Sequence, residues 1–257
     1  MIKLATWNVN SLKVRLDQVL AWFESANVDV LALQETKVVD EQFPLEAFTE
    51  RGFSVVFSGQ KTYNGVAIIG RMPLEDAVMD IPQLIDPQRR VLATTVAGIR
   101  LINLYVPNGS EPGSDKYHYK LMWLSHVTEF IKQQLQSYPK LAVVGDFNIA
   151  PADRDVHDPK AWEGQVLVSE PERKAFTELL ALGLKDSFRE AMPETQSFSW
   201  WDYRAAGFRR NMGLRIDHIL LSNPLFQDCT DVGIDLEPRR SERPSDHTPV
   251  WALLNLH

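Results

Sequence analysis

Short apolar runs that end in polar side chains are the feature that most limits how this chain can fold. The run from Leu141 to Val144 is typical of a fully buried strand, and Gly145–Asn148 (GDFN) follows it directly. Open α/β sheets bind their ligands at the edge where such strands end. Because Asp and Asn also form ordinary turns, this segment alone leaves a structural turn and a reactive site both open.

The beginning of the chain repeats this pattern. Ile2–Val9 predicts a strand, and apolar residues at helical spacing then predict a helix that starts at Ser11 or a neighbour and runs to about Ser25. Asp29–Leu33 predicts a second buried strand, which leads into Glu35. A strand, a helix and a strand in this order favour the α/β class.

The middle of the chain is rich in strand patterns without helical periods between them, which indicates an antiparallel section. The predicted strands there are Phe53–Ser58, Val66–Gly70, Arg90–Val96 and Arg100–Val106. The later elements are a helix at Tyr117–Gln136, a helix at Glu172–Leu182, an aromatic strand or turn at Ser197–Tyr203, and strands at Leu214–Leu221 and Val250–Leu256. With no repeat or linker in between, we expect one domain over residues 1–257, in which two strand-rich layers lie between helical layers.

The amino-acid composition restricts the possible functions less than the pattern of strands and polar strand ends does. The net charge is −7 and the pI is about 5.4, which taken alone argues against a nucleic-acid partner. Binding depends on local patches, however, and a site for a divalent metal itself requires acidic residues. The single cysteine, the lack of a long apolar run and the strand pattern that begins at Met1 predict a cytoplasmic protein without a signal peptide or membrane contact. We expect a monomer by default.

Polar residues at predicted strand ends are the candidate site. Asn8, Glu35 and Asp146 lie there, as does Asp246 with the adjacent His247. Each of them alone has a structural explanation, but their joint occurrence favours a common site. Asp217 differs because it lies within the predicted strand Leu214–Leu221, where a carboxylate is costly to bury without a partner. His247 is its natural partner.

This set of residues suits the hydrolysis of a phosphate ester. Oxygen ligands without thiolates or clustered histidines select a hard cation, Mg²⁺ or Mn²⁺. We predict Glu35 as the main metal ligand, with Asn8 and Asp246 in support. Asp146 would orient and deprotonate water, and His247, held by Asp217, would donate to a phosphate oxygen.

Six segments carry a resemblance that spans essentially the whole chain. In order they are Leu4–Leu12 (LATWNVNSL), Leu33–Lys37 (LQETK), Tyr105–Gly109 (YVPNG), Gly145–Ala150 (GDFNIA), Gly213–His218 (GLRIDH) and Pro244–Val250 (PSDHTPV). Together they closely resemble exonuclease III-type DNA repair nucleases of the endonuclease/exonuclease/phosphatase superfamily.

The resemblance implies a four-layer αββα sandwich with two mostly antiparallel sheets packed face to face. It also implies Mg²⁺-dependent cleavage of double-stranded DNA: incision 5′ to an abasic site, 3′-to-5′ exonuclease action and removal of blocked 3′ ends. The residue roles it implies are Glu35 and Asp246 at the metal with Asn8 and Asn10 around it, Asp146 and Asn148 as the water-activating pair, Asp217 and His247 as the hydrogen-bonded pair, and Tyr105 with Asn108 near the scissile phosphate. Asn10 departs from relatives that have an acid there, which puts a direct metal role for this residue in doubt.

Aromatic residues beside arginines predict the DNA-binding surface. Phe198–Arg204 is followed by Gly207–Arg210, and such segments suit an extruded nucleotide and its phosphates. By resemblance, Trp200, Leu214 and Ile216 line the pocket for the extruded sugar. The candidate phosphate contacts are Arg89, Arg90, Lys116, Lys120, Lys160, Arg204, Arg209 and Arg210.

The loop at residues 158–165 leaves the substrate preference open. Trp162 would form a wedge beside an extruded nucleotide, and Glu163 would repel phosphate; such a loop tip would obstruct internal abasic sites and favour 3′ ends. Two other functions remain as alternatives: a superfamily phosphatase that acts on inositol phosphates or sphingomyelin, and a DNA-binding module on an inactive scaffold. The segment Trp200–Tyr203 followed by Gly213–Asp217 favours the DNA branch.

Overall fold

The computed structural model describes residues 1–256, in which the strands form two six-stranded sheets and one two-stranded ladder. The strands are β1 Ile2–Asn8, β2 Val30–Gln34, β3 Ser54–Ser58, β4 Val66–Gly70, β5 Glu75–Met79, β6 Val91–Val96, β7 Ile99–Tyr105, β8 Leu141–Asp146, β9 Leu184–Asp186, β10 Trp200–Trp201, β11 Gly213–Leu214, β12 Asp217–Ser222, β13 Cys229–Ile234 and β14 Val250–Leu254. The helices are α1 Leu12–Ser25, α2 Leu45–Thr49, α3 Asp115–Ser137, α4 Pro159–Trp162, α5 Glu170–Leu180, α6 Ser187–Ala191 and α7 Asn223–Phe226.

Each sheet combines one parallel pair with antiparallel neighbours. The first sheet has the order β13-β14-β1-β2-β4-β3, and β1 and β2 are its parallel pair. The second has the order β5-β6-β7-β8-β12-β9, and β7 and β8 are its parallel pair. The prediction of two mostly antiparallel sheets is therefore confirmed.

The sheets pack face to face, and helices cover their outer faces. Successive side chains of a strand point to opposite faces, and β8 shows this clearly. Val144 packs in the core between the two sheets, whereas Val143 packs against α3 and α5 on the outside. On the other outer face, Phe23 of α1 packs against Leu31 of the first sheet. The four-layer αββα sandwich is thereby confirmed.

The parallel pairs bring several strand ends to one rim of the sandwich. β1 and β2 end at Asn8 and Gln34, and β7 and β8 end at Tyr105 and Asp146. β12 runs antiparallel to β8 and begins at Asp217, which is paired with Asp146. The topology therefore gathers polar side chains from distant parts of the chain at this rim.

The predicted strand Leu214–Leu221 is wrong in its first half. The N–H of Arg215 donates to the carbonyl of Asp155 at 2.9 Å, and the N–H groups of Ile216 and Asp217 both donate to Ser199 Oγ at 3.0 Å. These bonds take the backbone out of the sheet until β12 begins. Asp217 therefore lies at the rim, at a strand end like the other candidate residues.

Helix ends also differ from the prediction. Ser11 does not cap α1 with its side chain and has a positive φ of 89°. α5 begins at Glu170 because the N–H of Ser169 donates to the carboxylate of Glu172 at 3.2 Å, and it ends before Gly183. Within residues 1–256, no helix is long and apolar enough to cross a membrane.

Candidate active site

One amide group joins the two sheets at the rim. Asn8 Nδ2 donates to Glu35 Oε1 and to Asp146 Oδ2, both at 2.8 Å. Asn8 Oδ1 accepts the N–H of Asn10 at 3.0 Å, which fixes the orientation of the amide with its nitrogen towards the carboxylates. Asn8 therefore holds the two carboxylates together, and its oxygen faces away from the place where we expected it to support a metal.

The carboxylates form a cluster that can hold a cation. One side-chain atom each of Glu35, Asp146 and His247 lies within 4.8 Å of the other two, and the two carboxylates are the members of this group that can bind a cation while His247 is protonated. Burial by itself raises the pKa of Glu35, but the charge of Lys37 and the hydrogen bond from Asn8 outweigh burial and lower this pKa. Glu35 is thus ionised at neutral pH, and oxygen donors of this kind fit a hard divalent cation.

Lys37 and Asn10 lie beside this cluster. Lys37 Nζ donates to Asn10 Oδ1 at 2.6 Å and lies 3.0 Å from Glu35 Oε2. Asn10 Nδ2 donates to Asp246 Oδ1 at 3.2 Å. The oxygen of Asn10, which the resemblance places around the metal and whose direct metal role was in doubt, is therefore bound by an ammonium group. The sequence analysis assigned no role to Lys37, although its position two residues after Glu35 was a usable signal.

Asp246 faces the same pocket from the loop that precedes β14. Its Oδ2 accepts Trp200 Nε1–H at 3.0 Å. This bond, together with the bond from Asn10, holds the carboxylate in place while it remains on the pocket wall. Asp246 is not part of the three-residue donor cluster, so a direct contact between its oxygen and a metal stays a prediction.

Asp217 and His247 are in direct contact. His247 Nδ1 donates to Asp217 Oδ2 at 2.8 Å, and Nε2 lies 3.6 Å from Asp146 Oδ2. Burial by itself lowers the pKa of His247, but the charges of Asp217 and Asp146 outweigh it and raise this pKa to about 10. His247 is therefore an imidazolium at neutral pH, with Nε2–H pointing towards Asp146.

Asp146 and Asn148 form a turn and a reactive site at once. The N–H of Asn148 donates to Asp146 Oδ1 at 2.9 Å, as in an Asx turn, and Asn148 has a φ of 48°. Burial and the charge of Asp217 raise the pKa of Asp146, the charge of His247 opposes them, and the resulting pKa is about 7. The two alternatives for this segment are thus compatible, because the turn holds the carboxylate at the rim.

Tyr105 lies at the end of β7 under a buried arginine. The Arg90 guanidinium lies 4.6 Å from the centre of the Tyr105 ring, and Nη1 donates to the Tyr105 carbonyl at 3.1 Å. Burial, followed by the charges of Glu35 and Asp146, raises the pKa of Tyr105 well above its ordinary value, so the phenol stays neutral. Lys120 is 0% exposed, so the prediction that it contacts phosphate is wrong, whereas Arg90 lines the depression beside Tyr105 and its phosphate contact stays a prediction.

A pocket of about 300 Å³ contains this chemistry. Trp162, Trp200 and Ile216 give the pocket an apolar wall, and the two tryptophan rings meet edge to face at 6.5 Å. Leu214 lies beneath this wall and is fully buried, so it supports the pocket without lining it as predicted. The full lining is Glu35, Tyr105, Asn108, Asp146, Asn148, Trp162, Val166, Leu167, Trp200, Asp202, Arg204, Ile216, Asp246 and His247.

Two further depressions share lining residues with the pocket. One, of about 550 Å³, shares Tyr105 and Asn108 with the pocket and includes Lys116. The other, of about 700 Å³, shares Trp162 and includes Lys160. We refer to the pocket and these two depressions together as the trough; its lining includes Lys116 and Lys160, and also the carboxylates of Asp153, Glu163 and Glu170.

The remaining predicted phosphate contacts differ in their surroundings. Lys116, Arg209 and Arg210 are exposed, in agreement with a surface role. Arg204 lines the pocket, but its guanidinium is paired with Asp202, with Nη2 at 2.6 Å from Oδ2. Arg89 is likewise paired, with Asp80. A guanidinium has five N–H donors, so these two arginines can bind a phosphate with the N–H groups that the carboxylate leaves free.

Arg239 is a supporting residue that the sequence analysis missed. Its Nη1 donates to the carbonyl of Ser245 at 2.6 Å, next to the segment that presents Asp246 and His247. The guanidinium also lies 4.9 Å from the centre of the Phe208 ring. No local pattern marked this arginine, because its contacts come from the tertiary fold.

Comparison with known proteins agrees with this geometry. The model of the endonuclease/exonuclease/phosphatase family matches residues 5–247. Exodeoxyribonuclease III of Haemophilus influenzae is 36% identical over 98% of this chain and 99% of its own length. Two solved structures cover both chains fully: the 3′ phosphatase NExo from Neisseria bound to a product DNA hairpin (47% identity, TM-score 0.98) and an AP endonuclease from Archaeoglobus fulgidus (38% identity, TM-score 0.97). The chain therefore belongs to the endonuclease/exonuclease/phosphatase family and, within it, to the exonuclease III-type group.

Proposed function

We propose that this protein is a Mg²⁺-dependent DNA repair nuclease that hydrolyses phosphodiesters at 3′ ends and at abasic sites of double-stranded DNA. The observation that carries this proposal is the convergence of Glu35, Asp146 and the Asp217–His247 pair in one small pocket. The names of the relatives, an exodeoxyribonuclease, a 3′ phosphatase and an AP endonuclease, support a DNA substrate.

The metal would be bound on the carboxylate side of the pocket. Glu35 and Asp246 would hold Mg²⁺, whose charge would offset that of the phosphate and of the leaving oxygen. The Lys37 ammonium beside Glu35 already supplies one positive charge there. Mn²⁺, which prefers similar oxygen ligands, would substitute for Mg²⁺.

Asp146 is the base in this scheme. Its pKa of about 7 lies near neutral pH, where general-base catalysis is most efficient. Oδ1 is bound by the N–H of Asn148, and Oδ2 is bound by Asn8, so the carboxylate cannot rotate freely. The carboxylate would take the proton of the attacking water, and the adjacent Asn148 amide would orient that water.

His247 supplies the acid side of the reaction. With a pKa of about 10 its imidazolium can donate Nε2–H to a phosphate oxygen as negative charge develops there. Tyr105, neutral because its pKa is raised, adds an O–H donor on the same wall. Asp146 ionised and His247 protonated coexist from about pH 7 to about pH 10, so we expect a broad activity plateau in that range.

The trough would bind the DNA around the reacting phosphate. Lys116 and Lys160 line the two depressions that share residues with the pocket, where they can neutralise backbone phosphates. Trp200 and Ile216 give an apolar wall against which an extruded sugar can pack. A pocket of about 300 Å³ suits one sugar and its phosphate.

The test is a panel of three duplexes that contain an internal abasic site, a recessed 3′ end or a 3′-phosphate, each assayed with Mg²⁺ and with EDTA. We expect Mg²⁺-dependent turnover of DNA and no hydrolysis of sphingomyelin or inositol phosphates. Turnover of those lipids and sugars instead would contradict the DNA assignment. DNA binding without cleavage of any duplex would support the inactive-scaffold alternative.

A narrower candidate is an enzyme that trims 3′ ends and incises internal abasic sites slowly. Trp162 narrows the pocket where it meets Trp200, and Glu163 is exposed at the tip of the same loop. We therefore propose that Trp162→Gly with Glu163→Gly raises internal incision relative to 3′-phosphate release. Efficient internal incision by the unmodified protein would remove this candidate.

We also propose that the protein acts as a monomer with one domain. Light scattering coupled to size exclusion would then give a mass near 29.3 kDa.

A further inference from the structure

Lys120 is a fully buried ammonium directly behind the active site. The side chain is 0% exposed, and α3 places it beneath the segments that follow β7 and β8. Its Nζ donates to the carbonyl of Asn148 at 2.7 Å, to the carbonyl of Asn108 at 3.1 Å, and to the carboxylate of Glu172. An ammonium group has three N–H donors, and each of them has its own acceptor here.

Glu172 extends this contact to the pocket wall. It is also 0% exposed, and Oε1 accepts the N–H of Leu167 at 3.1 Å. Oε2 accepts the N–H of Ser169 at 3.2 Å and its hydroxyl at 2.5 Å. The ion pair therefore connects Asn108 and Asn148 with Leu167, which are three parts of the pocket lining that come from different segments.

Stability alone gives little reason for such a pair. Burying two charges costs about as much as their attraction returns, and apolar residues of similar volume are often as stable or more stable. What apolar residues cannot provide is a donor to two backbone carbonyls. Asn148 has a φ of 48°, a left-handed conformation that asparagine tolerates, and its carbonyl is the closer of the two carbonyls to Lys120 Nζ.

We propose that Lys120 and Glu172 are positioning residues of the reaction. Resting on the proposed nuclease function, this inference assigns them the task of holding the Asn148 and Asn108 backbones so that both side chains face the phosphate. The same pair couples these asparagines to the loop at residues 167–169. Neither Lys120 nor Glu172 lines the pocket, so they act through the asparagines and the loop.

The experiment compares Lys120→Met, Lys120→Arg and the double variant Lys120→Met with Glu172→Leu. Arg100→Met is the matched control, because Arg100 is 1% exposed and is bonded to Gln134 and the carbonyl of Asp76 at the opposite end of β7. Thermal unfolding and steady-state kinetics are measured for all four variants. The substrate is the duplex of the panel that the unmodified protein cleaves fastest.

We expect Lys120→Met to lower kcat about 100-fold with little change in KM, because small misplacements of reacting groups cost this much. Arg100→Met should lower the Tm but leave kcat unchanged. The double variant should regain Tm without regaining kcat, and Lys120→Arg should restore part of kcat. Unchanged kcat in Lys120→Met, or recovery of kcat together with Tm in the double variant, would refute the positioning role. If Lys120→Met fails to fold, the double variant and Lys120→Arg decide the question.

Hydrogen exchange provides a readout that does not depend on activity. Glu172→Leu removes the acceptor of the Leu167 and Ser169 amides, so their exchange should accelerate, and coupling predicts faster exchange in Lys120→Met as well. Unchanged slow exchange of both amides in Lys120→Met would contradict the proposed coupling of Lys120 to the loop at residues 167–169. If the unmodified protein cleaves no duplex, the nuclease proposal fails, while the exchange data still decide whether the pair holds the loop.

Discussion

Asp217→Asn tests the electrostatic part of the proposed mechanism. Asparagine has nearly the same shape as aspartate and can still accept the Nδ1–H of His247, which Asp217 now binds at 2.8 Å. The substitution therefore removes a negative charge and leaves the geometry in place. Because burial lowers the pKa of His247 and Asp217 contributes most to raising it, the pKa should fall by several units.

The expected loss of cleavage rate follows from the size of the pKa shift of His247. The pKa of His247 is about 10 and the ordinary value for histidine is about 6.5, a difference that corresponds to about 5 kcal/mol in favour of the imidazolium. If most of this preference is lost, His247 is neutral at pH 7 and cannot donate Nε2–H to the phosphate. Loss of a positioned proton donor lowers a rate by about 10² to 10⁴.

Two measurements check this prediction. Nitrogen-15 NMR of the imidazole should show His247 charged up to about pH 9 in the unmodified protein and neutral at pH 7 in Asp217→Asn. The raised pKa also stabilises the fold below about pH 6.5, and this contribution is lost as the pH rises through about 10. Urea unfolding of metal-free Asp217→Asn should not show this loss of stability as the pH rises. A charged His247 at pH 8 in Asp217→Asn would refute the reasoning, as would an unchanged cleavage rate.

Three further substitutions test other parts of the structure. Asp146→Asn should lower the cleavage rate by several orders of magnitude while fluorescence anisotropy still detects binding to abasic DNA; full activity would exclude Asp146 as the base. Glu35→Ala should raise the Mg²⁺ concentration needed for half-maximal activity, and an unchanged metal dependence would remove Glu35 from the metal site. Burial and the charge of Arg215 lower the pKa of His218 to about 4, so the protein should lose about 3 kcal/mol of stability between pH 6.5 and 4. Urea unfolding of His218→Gln should show a smaller loss of stability over this pH range. An equal loss would contradict the assignment of this pH dependence to His218.

The strands that are buried on both faces could all be predicted from the sequence. β2, β4 and β8 are entirely buried and appear as short, continuous apolar runs. β5 and β13 escaped prediction because they lie at sheet edges and are mostly polar or exposed. Their extended conformation depends on pairing with β6 and β14, which no local pattern records.

The residues of the site could be predicted from the sequence, but not all of the contacts that hold them in place. Polar residues at strand ends indicated Glu35 and Asp146, because the carboxyl ends of parallel strands share one edge. Lys120 shows the limit of such reasoning, since a lysine at a helix start suggests a surface charge. It lies on the same buried stripe of α3 as Tyr117 and Leu124, and that spacing was a signal for a buried ion pair. Its partner Glu172 is 52 positions away and could be identified only in the folded structure.

Buried ion pairs do not account for the acidity of this chain. Asp155 and Asp186 are both bound to the buried guanidinium of Arg215, at 2.7 Å each, and Glu172 is bound to Lys120. Arg215 and Lys120 count in the net charge as well, so these pairs nearly cancel and the net charge of −7 comes almost entirely from the rest of the chain. A phosphate backbone in the trough would meet exposed lysines and the proposed metal. Because binding responds to the local field, the total charge is a poor guide to the partner of this protein.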